Sequence, residues 1–278
     1  MTKEKSPERA VPGGRFAIIY FAWGEEFLQE VEHSIQNSPL LEKYDILLLT
    51  DRHTDLNRYE HLFSQVIRED FQMNGLLRKS ELIHYLPSGY DAFLFLDSDT
   101  IVLEEISFGF EMALKHGIAM APCHHYGLEN FWGFREVMKA AGQPQRGQLQ
   151  YNTGVLFFRN SPDVLTVLKR WNELVLKYKH IHKNDQPFFT LAMESLGYNP
   201  YTLPITYNYR GSGDVILGKV RIWHSHYKKP ENINEKPDLW PPRRAYQTTL
   251  IYFDLNRIRY WPGLLFQKII KALKREPG

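Results

Sequence analysis

The run Phe93-Leu94-Phe95-Leu96 passes directly into Asp97-Ser98-Asp99, and this junction constrains the chain more than any other. Four consecutive apolar residues, without alternation, read as a central strand buried on both faces of an α/β sheet. Asp97 and Asp99 stand at i and i+2, so strand periodicity turns both toward one side. Two carboxylates aimed at one point repel each other unless a cation lies between them. Oxygen donors of this kind suit a hard divalent ion such as Mg2+ or Mn2+. The competing reading is a solvated Asp-Ser-Asp-Thr turn that closes the strand.

The flanking sequence supplies a frame for that strand. Residues 16–22 are apolar throughout and read as a first strand, residues 25–36 as an amphipathic helix, and residues 44–50 as a second buried strand. Strand, helix, strand in so short a span is a βαβ unit, so the sheet starts parallel. Residues 63–68 alternate like a third strand, and 76–86 carry a helical apolar pattern stopped by Pro87 and Gly89. This is the first half of a nucleotide-binding fold, whose crevice lies outside the C-terminal strand ends, where Asp97 and Asp99 fall. Farther on, a helix is expected over 106–116, a short strand over 117–121 and a mobile loop over 122–150. A strand over 151–159 follows, then a helix to Tyr178 with Ser161 as its cap and Pro162 in its first turn. A helix from Asn184 or Asp185 to Leu196 and a strand over 220–224 complete the pattern. Nothing repeats, and no linker divides the chain. The expected division is a disordered tail over 1–14, one α/β domain over 15–240 and a helical extension over 241–278.

Composition narrows the function classes. With 34 Lys and Arg against 32 Asp and Glu, the near-balanced charge argues against a nucleic-acid binder. A single cysteine, Cys123, excludes an internal disulfide and a Cys-rich zinc site, and favours a reducing, cytoplasmic setting. No apolar run reaches membrane-spanning length, and the first residues lack a signal-peptide pattern.

A second group of polar residues ends the last strand. His224 and His226 stand at i and i+2, on one face, with Lys228 and Lys229 next. Neutral imidazole joins carboxylates around Mn2+ more readily than around Mg2+. A polar loop with incidental histidines is the alternative. An apolar strand followed by Asp-x-Asp also suits an aspartyl-phosphate phosphatase. No later acidic pair completes that site.

Four segments in order, FLFLDSDTIVL, QYNTGVLFFR, NDQPFF and VRIWHSHYKKP, resemble the retaining GT-A glycosyltransferases of the glycogenin and lipopolysaccharide-galactosyltransferase group, family 8. The resemblance spans residues 16–230. It implies a mixed, Rossmann-like sheet flanked by helices and transfer of a hexose, with retention, from a nucleoside-diphosphate sugar, UDP above all. The acceptor would be a glycan or a lipid-linked sugar. It implies Asp97, Asp99 and His224 as ligands of Mn2+ (or Mg2+), with Asp97 or Ser98 also near the ribose. Lys229 would meet the leaving diphosphate, and Asn152 and Asp185 would meet sugar hydroxyls. Gln186 would lie beneath the anomeric carbon, and Arg78 or Lys79 near the donor. Each role has a plain structural rival: Asn152 as a turn cap, Gly154 as a packing glycine, Asp185 as a helix N-cap, Arg78 and Lys79 as a solvated helix face. The chain departs from the family after the first strand, where Trp23 and Glu25 replace the usual base-reading Asp and aromatic. A non-catalytic nucleotide- or glycan-binding protein of the same fold is the non-enzyme alternative.

The loop over 122–150, with His124, His125 and Trp132, is the expected acceptor wall. Residues 264–275 form an apolar face backed by Lys268, Lys271, Lys274 and Arg275. Such a helix could lie on an anionic membrane surface or pack on the domain.

Overall fold

The computed structural model describes residues 14–131, 133–144, 147–210 and 218–225. The expected tail before Gly14 and the extension over 241–278 lie outside the described residues. So do Trp132, His226, Lys228 and Lys229.

The first half follows the apolar runs. Strand β1 (Phe16–Phe21), helix α1 (Gly24–Gln36), strand β2 (Asp45–Asp51) and strand β3 (Gln65–Glu69) lead through 3-10 turns over Gly75–His84 to β4 (Ala92–Leu96). Strand β4 stops at Leu96. Asp97 to Asp99 form a turn, and β5 (Thr100–Val102) then leaves the main sheet. Helix α2 (Ser107–His116), β6 (Ile118–Gly127), helix α3 (Arg135–Ala140) and β7 (Leu149–Arg159) follow. Helices α4 (Pro162–Tyr178) and α5 (Gln186–Leu196), then β8 (Tyr201–Thr202) and β9 (Ile222–His224), complete the order.

Seven strands form one sheet in the order β3-β2-β1-β4-β7-β6-β8, and β5 pairs with β9 in a second, two-stranded sheet. Strands β3, β2, β1 and β4 are mutually parallel, and β7 runs antiparallel to both of its neighbours. The expected mixed sheet flanked by helices is therefore the observed one. Along β1, Ala17, Ile19 and Phe21 enter the apolar cluster on one face, and Ile18, Tyr20 and Ala22 the cluster on the other. Such two-sided burial is why the run has no alternation. Helix α4 packs Val164, Val167, Leu168, Trp171, Leu174, Val175 and Tyr178 onto the first face. Pro162 opens α4 as expected, but Ser161 makes no capping bond; its hydroxyl donates to Asp163 Oδ1 at 2.5 Å.

The stretch expected as a mobile loop is built otherwise. Strand β6 continues to Gly127, a 3-10 turn spans Leu128–Asn130, and α3 follows. Leu128, Phe131, Phe134, Val137 and Met138 are buried in the main core. Their spacing of three and four residues is a helical apolar stripe, which the surrounding Gly, Pro and Gln disguised.

Candidate active site

The topology brings distant residues to one edge of the sheet. Because β7 is antiparallel to β4, its first residues lie beside the end of β4: Val155 is opposite Leu96, and the Asp97 N–H donates to the Gly154 carbonyl at 2.9 Å. Strand β9 comes from the other side, with His224 opposite Thr100 on β5. Segment 207–210 runs along β9: the His224 N–H donates to the Tyr209 carbonyl at 2.9 Å, and the Tyr209 N–H to the Ile222 carbonyl at 3.0 Å. Alternate residues Asn208 and Arg210 then both reach the His224 ring.

At the centre, His224 Nε2 stands 3.2 Å from Asp99 Oδ1 and 3.5 Å from Asp97 Oδ2. The three residues can each offer one atom to a shared metal ion, all within 4.8 Å of one another. Two hard carboxylate oxygens and one imidazole nitrogen suit Mn2+ or Mg2+. The other ring nitrogen, Nδ1, lies 2.7 Å from Asn208 Oδ1. An amide oxygen only accepts, so Nδ1 carries the proton and Nε2 faces the carboxylates. Asn208 is held in turn, donating from Nδ2 to Asn152 Oδ1 at 3.0 Å, and the Gly154 N–H donates to the same oxygen at 2.9 Å. Gly154 makes room for the cluster. A Cβ there would stand 2.1 Å from His224 Cε1 and 2.5 Å from Asp97 Oδ2. The packing glycine and the site glycine are one residue.

Charge is balanced from beneath. Lys79 Nζ meets Asp97 Oδ1 at 2.5 Å. Burial pushes the Asp97 carboxyl up, but Lys79 and His224 outweigh it and hold that group well below the usual carboxylate range. Burial likewise works against the Lys79 ammonium, and Asp97 and Asp185 raise it overall. For His224, burial opposes the charged ring while Asp99 and Asp97 favour it, with a net upward shift. Arg210 works against that shift. Its Nη1 lies 3.1 Å from Nε2, and a guanidinium only donates, so this contact uses the lone pair a proton would take. Nε2 thus stands between two carboxylate oxygens and one guanidinium.

Asp185 and Gln186 line the same cleft, at the start of α5. Asp185 makes no side-chain cap bond; Asn184 Oδ1 instead receives the Gln186 N–H at 3.0 Å. The Asp185 carboxylate accepts from Thr153 Oγ1 at 2.9 Å, and burial raises its pKa. Gln186 is 7% exposed, and its Nε2 has no hydrogen-bond partner among the described residues. Trp23, Phe21, Phe27 and Leu76 form an apolar end of the cleft, and Ser98 lies between the two acids with its hydroxyl on Glu30.

Of the two basic candidates, Lys79 enters the cleft. Arg78 lies over the Trp23 ring, 4.6 Å from its centre, and pairs with Asp51 at 3.1 Å. Glu25 is turned away, bonded to Tyr59 and Gln29. His124 and His125 fall on β6. Sequence reading missed Asn208 and Arg210. They lie 16 and 14 residues before His224, joined to it only by the strand-like pairing, and no spacing in the sequence signals that.

Comparison with solved structures shows the fold. The apo form of the glycosyltransferase GlyE from Streptococcus pneumoniae TIGR4 matches with a TM-score of 0.55 at 15% identity, over 93% of this chain and 64% of that one. The galactosyltransferase LgtC, solved with donor and acceptor sugar analogs, matches with a TM-score of 0.51 at 15% identity, over 89% of this chain and 99% of that one. The chain thus spans about two thirds of GlyE and nearly all of LgtC, and its fold is the GT-A fold of glycosyltransferases. No match was found among curated proteins. Residues 43–239 match glycosyl transferase family 8. This protein belongs to that family.

Proposed function

We propose that the protein is a metal-dependent, retaining hexosyltransferase that takes its sugar from a nucleoside-diphosphate donor, UDP-linked, and passes it to a glycan or lipid-linked acceptor. The observation that carries this reading is the meeting of Asp97, Asp99 and His224 at the cleft floor. These three would hold Mn2+ or Mg2+, which supplies Lewis-acid stabilisation of the charge developing on the leaving diphosphate. Asn208 keeps a proton on His224 Nδ1 and so leaves Nε2 to the ion beside Asp97 and Asp99. Lys79 keeps Asp97 ionised. Asp185, anchored by Thr153, accepts from donor-sugar hydroxyls. Gln186 is assigned to the face beneath the anomeric centre, where its amide oxygen would oppose the positive charge gained there. Asn152, through its own Nδ2, is assigned to the sugar or acceptor. Trp23 offers an aromatic edge to the base, and the Ser98 backbone is assigned to the ribose, its hydroxyl being held by Glu30. Lys229, outside the described residues, is assigned to the diphosphate on the resemblance alone.

Catalysis is assigned to residues 15–240 of a cytoplasmic protein, and membrane contact to the basic helix expected from the sequence within 241–278. The test is donor turnover with UDP-glucose and UDP-galactose, with and without Mn2+. Metal-dependent release of UDP is expected, falling at least about 100-fold in Asp99→Asn, a loss of about 2.7 kcal/mol of transition-state stabilisation. Turnover indifferent to chelation would overturn the metal assignment. Binding of UDP with no turnover of any nucleotide sugar would overturn the donor assignment.

A further inference from the structure

We propose that Arg210 is an exchangeable counter-charge. It occupies the Nε2 lone pair of His224 until a divalent cation takes that lone pair, and it then turns onto the phosphates of the nucleotide donor. The proposal rests on the metal-dependent reading above and deepens it.

His224 Nδ1 is committed to Asn208, so Nε2 is the ring nitrogen that can serve the cluster. Arg210 Nη1 lies on that nitrogen at 3.1 Å. A cation held by Asp97, Asp99 and His224 needs the same lone pair, and a guanidinium has no lone pair to share with it. Metal and guanidinium are therefore alternatives at Nε2, and two positive charges so close also repel.

Arg210 lines the cleft and is half-buried, so it moves within the site and is not expelled from it. Among the described residues Arg210 makes no ion pair, and only one of its five N–H donors is accounted for. Lys79, the other described basic residue of the cleft, is committed to Asp97. A diphosphate entering with the cation thus meets one uncommitted planar fork, which matches phosphate oxygens two at a time. Segment 207–210 is tied to β9 by the Tyr209 backbone, so the change is a side-chain swing with the backbone held.

The consequence is coupling. The cation binds weakly alone, because it must displace Arg210, and better with nucleotide, which gives Arg210 a new partner. By linkage the nucleotide gains affinity from the cation by the same factor.

The test uses the full chain and two titrations. Free Mn2+ is followed by electron paramagnetic resonance without nucleotide, and UDP binding by calorimetry at saturating Mn2+. Arg210→Ala is expected to bind Mn2+ at least about fivefold more tightly in the first and UDP at least about tenfold more weakly in the second. Those factors correspond to one charge-assisted hydrogen bond released and one lost. Arg210→Gln, neutral and shorter, should follow Ala in both and serves if the alanine variant folds poorly. A variant that matches wild type in either titration, while wild type binds both ligands, overturns the exchange and leaves the metal reading intact. Wild-type protein that binds UDP but never Mn2+ overturns the metal reading and the exchange with it.

Discussion

Lys79 and Asp97 form an ion pair with side chains 10% and 19% exposed, and neither can be removed alone without cost. Lys79→Met leaves Asp97 and Asp185 without their nearest cation in a desolvated place. It should cost roughly 3–5 kcal/mol, whereas Lys79→Met with Asp97→Asn should recover much of it. Urea denaturation of the two variants measures this, and equal loss in both would sink the account. Asp185 teaches a related lesson at this scale. Before a helix, Asp is most often a cap. Asn184 takes that role and frees Asp185 for the cleft. Adjacent polar residues cannot be told apart in the sequence until the chain's rotation into the helix is known. Arg78 and Lys79 posed the same ambiguity, and a turn of the 3-10 segment sent one to Trp23 and the other to Asp97.

Elements, more than residues, set the tolerance for a Cβ. Gly109 on α2 and Gly154 on β7 are both packed too closely for alanine. A Cβ at Gly109 would lie 2.5 Å from the Phe157 ring, and one at Gly154 would lie against His224 and Asp97. Both alanine variants should lose about 1–3 kcal/mol to overpacking. Only Gly154→Ala should also abolish Mn2+ binding, because only there do the atoms that must move belong to the cluster. Calorimetric titration on both separates a packing effect from a site effect, and intact binding in Gly154→Ala would refute the cradle. The strands β1, β2 and β4 were readable because two-sided burial leaves an uninterrupted apolar run. Segment 128–138 was hidden because its stripe is short and broken by glycine. The pairing of β5 with β9, three residues each, has no signal of its own.

The whole molecule carries a pH dependence that follows from its depressed carboxyls. The Tyr90 hydroxyl and Arg15 lower Asp45, and Ser161 and Arg159 lower Asp163. A group with a lowered folded pKa adds stability above its unfolded pKa, about 3.9 for Asp, and loses it as the pH falls through the folded value. Melting temperature should therefore drop from about pH 5 downward. Asp45→Asn should flatten part of that drop; an unchanged slope in differential scanning calorimetry would count against it. Among the described residues, no helix is long and apolar enough to cross a membrane. If residues 241–278 supply the membrane contact, a chain ended at 240 should fail to sediment with phosphatidylserine vesicles that retain the full chain. Equal sedimentation would remove that assignment.

Local composition alone determined the buried strands, the α/β class and the position of the acid pair at a strand end, and the resemblance added the mixed sheet and the family. Those properties depend on runs of neighbouring residues, which periodicity records. Only the tertiary structure decided that Lys79 and not Arg78 meets Asp97, that Asn208 sets the tautomer of His224, and that Arg210 occupies its free nitrogen. These contacts join residues 14 to 18 apart on separate elements, or Asn208 and Asn152 across 56 residues. Strand register and the antiparallel turn of β7 fix them, and no local pattern encodes either one.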